Sequence, residues 1–84
     1  MSERDFLAAD RATRLEHVRQ SGEYLGSRAH GGHRVHLYRL DGFFCEVWIR
    51  LGLQQVEWVE VARNTEVLTE YVRIDLGDLL NDKR

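Results

Sequence analysis

Three histidines spaced by threes, His30, His33 and His36, precede a cysteine and a glutamate, Cys45 and Glu46, and these five side chains are where the sequence could do chemistry. Imidazole, thiolate and carboxylate are metal-binding groups, and a metal needs them converging on one point at about 2 Å. The spacing matches no finger or zinc-protease pattern, and on an extended chain His33 and His36 point to opposite faces. Structural or solvated histidines are the simpler reading, and no metal or other cofactor is expected. Cys45 with His36 could form a thiol–imidazole dyad, the thiolate attacking while the imidazole takes its proton. No oxyanion donor loop or Gly-rich turn accompanies the pair, so no catalytic residue is assigned and the chain is read as non-enzymatic. Glu46 is an acid within the most apolar run, where burial could raise its pKa and make it a general base. Pairing with Arg39 and Arg50 on the same strand face accounts for it more simply.

These residues sit on a hairpin. Asp41-Gly42 accepts the positive φ angles of a tight two-residue turn, and it lies between two runs rich in β-branched and aromatic residues. With that turn, Leu40 faces Phe43, Tyr38 faces Cys45, His36 faces Val47 and Arg34 faces Ile49 on one side of the sheet. Arg39 with Phe44, Leu37 with Glu46 and Val35 with Trp48 occupy the other. Both sides are apolar enough to need cover.

The flanking stretches supply the rest of the frame. Residues 3–20 predict one helix, with Ser2 as N-cap, Glu3 and Asp5 in the first turn, and Ala8, Ala12, Leu15 and Val18 on one face. Asp10 and Arg14 would pair along it, and Ser21-Gly22 would close it. Residues 23–29 are read equally well as a first strand or as irregular chain; a strand would join the next through Gly31-Gly32. After a turn near 51–54, Gln55–Ala62 predicts a further strand of undetermined register. Asn64 or Thr65 would cap a short helix over 66–72 that docks through Leu68 and Tyr71 or Val72, followed by a brief extended piece and a frayed end. The expected fold is α+β: an N-terminal helix, a three- to four-stranded antiparallel meander and a short C-terminal helix, in one domain over residues 1–84. The helices are expected on the Phe43/Val47/Ile49 face.

Composition bounds the function. The 84 residues are 43% hydrophobic and 31% charged, ordinary for a globular domain, and the net charge is −2. That balance argues against a general binder of nucleic acid or anionic membrane. A single cysteine cannot form an internal disulfide, no run is long enough to span a bilayer, and the N-terminus lacks a signal-peptide pattern, so a cytoplasmic location is expected.

The run Leu37-Tyr38-x-Leu40-x-Gly42-Phe43-x-x-Glu46-Val47-Trp48, followed by Leu68-x-x-Tyr71-Val72 and Ile74-Asp75-Leu76-x-Asp78-Leu79, resembles a family of short, uncharacterised bacterial proteins. That family typically shows a Phe-[Phe/Tyr]-Val-Glu-Val-Trp-Tyr strand and a Tyr-Leu-x-x-Ile-x-Leu tail. Cys45 and Ile49 depart from its usual Val and Tyr, and the spacing from Tyr71 to Ile74 is one residue shorter. The family carries no established activity, so the resemblance implies a fold and a bacterial source and transfers no site residue.

What remains is a surface. Val35, Leu37, Arg39, Phe44, Glu46, Trp48 and Trp58 mix aromatic, aliphatic and arginine side chains, the composition of an interface centre. The expected function is a protein-interaction module whose partner is another protein or a second copy, through this face or an exposed edge strand. Phe44, Trp48 and Trp58 interleaved with Arg34, Arg39 and Arg50 form the alternative, a stacking platform for single-stranded nucleic acid. The negative charge and the single lysine weaken that alternative.

Overall fold

The structure is a computed structural model that describes residues 1–63, Leu68 and Tyr71. Two short helices, α1 (Glu3–Ala8) and α2 (Arg11–Ser21), precede four strands: β1 (Glu23–His30), β2 (His33–Leu40), β3 (Phe43–Arg50) and β4 (Gln55–Val61). The strands form one antiparallel sheet in the order β1-β2-β3-β4. The helix and further extended piece expected after Asn64 lie outside the described residues. Among the described residues no helix is long and apolar enough to cross a membrane.

The single helix expected over 3–20 is broken in two, and the reason is Asp10. Its carboxylate accepts the Thr13 amide at 2.8 Å and N-caps α2, with extended backbone at Ala9 and Asp10. Ser2 caps α1 as expected, accepting the Asp5 amide at 3.1 Å. The break rotates the apolar stripe, so Phe6 and Val18 are buried and Leu15 half-buried, while Ala8 and Ala12 are exposed. Instead of lying along the helix toward Asp10, the Arg14 guanidinium donates to the Phe6, Leu7 and Val59 carbonyls, each at 2.8 Å. It thereby fastens the end of α1 to β4. Gly22 ends α2 at φ −82°, not in the left-handed region. Glycine is needed there for closeness, because a Cβ would lie 2.7 Å from the Val18 carbonyl oxygen.

Residues 23–30 are a strand, and the Gly31-Gly32 turn joins it to β2 with Gly31 at φ +59°. The β2–β3 register is the one a two-residue Asp41-Gly42 turn dictates, with Leu40 opposite Phe43, Tyr38 opposite Cys45, Leu37 opposite Glu46 and Val35 opposite Trp48. Of that turn only Gly42 has positive φ, +90°. The register of β4, open from the sequence, pairs Trp48 with Trp58 and Val47 with Val59. It shifts between Trp48 and Ile49, leaving Glu57 without an opposite number on β3. An extra residue of this kind is a β-bulge, which the apolar pattern does not announce.

The sheet buries both faces. On one, Phe6 and Val18 from the helices pack with Leu40, Phe43, Cys45, Val47 and Val59, as expected for the Phe43/Val47 side. On the other, Val35 and Leu37 are fully buried beneath Leu68 and Tyr71, which belong to the stretch expected on the Phe43 face and are drawn instead to this uncovered apolar side, with Leu25, Phe44, Trp48 and Ala62 around them. Each such aliphatic or aromatic side chain contributes roughly 1.5–3 kcal/mol on burial. A thin sheet with two covered faces is how a chain of this length builds enough core.

Candidate interaction surface and the buried ion pair beneath it

Glu46 stands in the middle of β3 and is only 6% exposed. Its partner differs from the expected Arg39 and Arg50. Arg28 Nη2 reaches Oε2 at 3.1 Å, and the Tyr71 hydroxyl donates to the same oxygen at 2.5 Å. Arg28 lies opposite Val35 on the neighbouring strand, so its side chain crosses above β2 to reach β3. There it stacks over the Trp48 ring at 5.3 Å and the Tyr71 ring at 5.4 Å. Arg39 is drawn to Glu23 at 2.6 Å, and Arg50 to Glu57 at 2.6 Å, which is why neither serves Glu46. Burial works to lower the Arg28 pKa, and the hydrogen bonds to Tyr71 and Glu46 more than offset it, holding the guanidinium above its ordinary value. Burial, then the bond to Glu46, pushes the Tyr71 phenol up and keeps it a donor.

Trp48 and Trp58 face each other across β3 and β4, edge to face with centroids 5.7 Å apart. His33 packs against both, at 5.6 Å from Trp48 and 5.1 Å from Trp58, and His30 meets Trp48 at 5.5 Å. The tight Gly31-Gly32 turn sets His30 and His33 opposite each other and so brings both to this cluster. Bulged Glu57 accepts from Arg50 and lies 2.7 Å from His33 Nε2. The Arg50 bond, then the His33 bond, holds the Glu57 carboxyl below the usual carboxylate range.

The chemistry-bearing residues do not converge. His36 is on the opposite face from His33, with its ring 5.5 Å from Tyr24. Its Nδ1 is buried without a hydrogen-bond partner among the described residues, and burial, then the Arg34 charge, lowers its pKa. Cys45 is fully buried in the helix-covered core, and burial, then the Glu46 charge, pushes its thiol up to about 12. A thiol in that state is not a nucleophile at neutral pH. No group of three or more His, Cys, Asp or Glu side chains among the described residues has metal-binding geometry.

Of the seven interface candidates, Val35, Leu37 and Glu46 are buried within the chain itself, Arg39, Phe44 and Trp48 are half-buried, and Trp58 stands 45% exposed. Arg39 and Phe44 also line an open cleft of about 410 Å³ with Leu40, Phe43, Glu3 and Arg63. Sequence reasoning expected Tyr71 to dock on the sheet but missed its bond to Glu46, and it missed Arg28 and the His33–Glu57–Arg50 set. The signal for Arg28 was present, a long basic side chain on the strand two places from the one that carries Glu46; nothing local marks the bulge that aims Glu57. No family model, curated protein or solved structure matches the chain.

Proposed function

We propose that the chain is a non-enzymatic protein-interaction module, cytoplasmic, and one of the short bacterial proteins that its β3 strand and tail resemble. Trp58 carries the reading. A tryptophan that is nearly half exposed, backed by Trp48 and His33 in a fixed edge-to-face cluster, is a rigid aromatic anchor that loses little freedom when a partner covers it. The closed environments of Cys45 and Glu46 support the absence of catalysis. The nucleic-acid alternative is weakened by its arginines: Arg39 and Arg50 are each hydrogen-bonded to a glutamate on the same molecule, so phosphates would have to compete for them, and Arg34 lies on the face opposite Trp48.

The test is association measured by sedimentation from micromolar to millimolar protein, and capture from a bacterial extract, with wild type and Trp58→Ala compared. The reading expects association or capture that Trp58→Ala weakens at unchanged melting temperature. A wild type that neither associates nor captures a protein, or a salt-dependent shift of a labelled oligonucleotide that Trp58→Ala abolishes, would overturn it.

A further inference from the structure

The two edges of the sheet are not alike. In an antiparallel pair, residues alternate between bonding to the neighbouring strand and turning both backbone groups away from it. The Ala62 amide bonds to the Phe44 carbonyl at 2.9 Å, so the even-numbered residues of β3 turn toward β4. Their partners Glu60 and Trp58 therefore bond inward, and Val59 and Glu57 turn outward. Those outward carbonyls are taken: Arg14 donates to Val59 at 2.8 Å and Arg11 to Glu57 at 3.0 Å. Two guanidinium groups of helix α2 thus cap the middle of the β4 edge, where a partner strand's amides would have to bond.

Among the described residues nothing pairs with the β1 edge. The Leu51 amide bonds to the Gly32 carbonyl at 3.0 Å, so the even-numbered residues of β2 turn toward β3 and Val35 and Leu37 turn toward β1. Their partners Arg28 and Gly26 bond inward, which points the N–H and C=O of Ser27 and Ala29 away from the sheet. Among the described residues no hydrogen bond reaches those four groups. Edge strands are commonly guarded by proline, lysine or an outward charge, and β1 has neither proline nor lysine. Its one central charge, Arg28, is turned across the sheet to Glu46. A register shift between Tyr24 and Gly26 bends only the first half of the strand.

We infer that β1 pairs antiparallel with β1 of a second copy, about a two-fold axis at Ser27, to give a closed dimer with one continuous eight-stranded sheet. This rests on the interaction-module reading and gives it a second surface besides the Trp58 cluster. Self-pairing is favoured over other occupants by three features. With β4 capped and β1 unpaired among the described residues, each chain offers one edge, so edge pairing closes at two copies and does not run on into a fibre. An axis at Ser27 sets Arg28 opposite the partner's Gly26, whereas an axis at Arg28 would oppose like charges. Gly26, Ser27 and Ala29 are small enough for close approach, and exposed Tyr24 stands beside the seam.

The experiment is sedimentation equilibrium from micromolar to millimolar protein on wild type, Ser27→Pro, Ala29→Lys and Trp58→Ala, with amide exchange followed by NMR over the same range. Proline at 27 removes only an outward N–H, so the chain keeps its internal bonds; Ala29→Lys serves if Ser27→Pro does not fold. The expected result is a wild-type dimer whose Ser27 and Ala29 amides become protected as concentration rises, and loss of the dimer in either edge variant at unchanged melting temperature. A dimer that survives both edge variants and is lost in Trp58→Ala overturns the edge while leaving the module reading standing. So does a chain that stays monomeric throughout and captures another protein through Trp58. A monomer that captures nothing removes both.

Discussion

The Tyr71 hydroxyl donates to Glu46 at 2.5 Å across 25 residues of sequence, and it closes the sheet face that the hairpin leaves bare. Removing the hydroxyl alone leaves a buried carboxylate oxygen with one donor fewer. Tyr71→Phe keeps the packing of the ring on Val35 and Leu37, so the expected loss is about 1–3 kcal/mol in urea unfolding. A loss below a few tenths would mean that the phenol is a packing residue only.

Arg28 and Glu46 share a low-dielectric site, so breaking the pair should cost more than replacing it. Arg28→Met alone is expected to lose about 3–5 kcal/mol, because it strands the Glu46 charge. Arg28→Met with Glu46→Leu should recover most of that loss. The double-mutant cycle is the measurement, and additive losses would show that the two side chains do not act as a unit.

At alkaline pH the folded chain holds protons on Cys45, Tyr71 and Tyr38 that the unfolded chain gives up, because burial raises all three groups. The Cys45 thiol is raised from 9.0 to about 12 by burial, and the Tyr71 phenol is raised as well. Above pH about 9 the unfolded state therefore binds fewer protons, and stability falls as pH rises, at up to about 1.4 kcal/mol per pH unit for each group. Cys45→Ala should flatten the first part of that fall in unfolding curves from pH 8 to 11. Native Cys45 should also resist a thiol reagent until the chain is unfolded.

Acid acts with the opposite sign. The His36 pKa is lowered by burial and by Arg34, and that of Glu57 by Arg50 and His33. A depressed folded pKa contributes stability that is present above the unfolded pKa and lost as pH falls through the folded one. His36 thus erodes stability below its ordinary pKa of 6.5, and Glu57 below the ordinary carboxylate range. His36→Phe should flatten the upper part of the acid limb of a melting-temperature profile and Glu57→Gln the lower; an unchanged profile in both would refute the assignment.

Arg14 joins three carbonyls from two elements, so it is expected to matter more than its place on a polar helix suggests. Arg14→Met should cost about 2–4 kcal/mol, since hydrogen bonds from a charged donor are each worth about 1.5–3 and solvent replaces some of them. Arg14→Lys should rescue little, because a point charge cannot span the three acceptors. Opening the β4 edge should also raise light scattering at high concentration.

Much of the sheet was legible because its signals are local. Asp41-Gly42 set a turn, the turn set the β2–β3 register, and period-two alternation then assigned every side chain of those strands to a face. The same logic placed Cys45 and His36 on one side and Glu46 and Trp48 on the other. The two-helix start was less legible: Asp10 suits a helix surface and an N-cap alike, and the choice depends on where Phe6 and Val18 find cover.

Partners beyond one strand were not legible. Glu46 had two arginines within reach on its own face, and which base it took depended on what else competed for them: Glu23 for Arg39 and bulged Glu57 for Arg50. Those competitions are resolved only when β1 and β4 are in place. The sequence by itself determined the hairpin, its register and its need for cover on both faces, because these follow from backbone geometry over neighbouring residues. Only the tertiary structure decided that Tyr71 and Leu68 cover Val35 and Leu37, that Arg28 neutralises Glu46, and that α2 caps the outward Glu57 and Val59 carbonyls of β4. Long-range contacts between side chains that no local rule ranks are chosen by the packing of the whole chain.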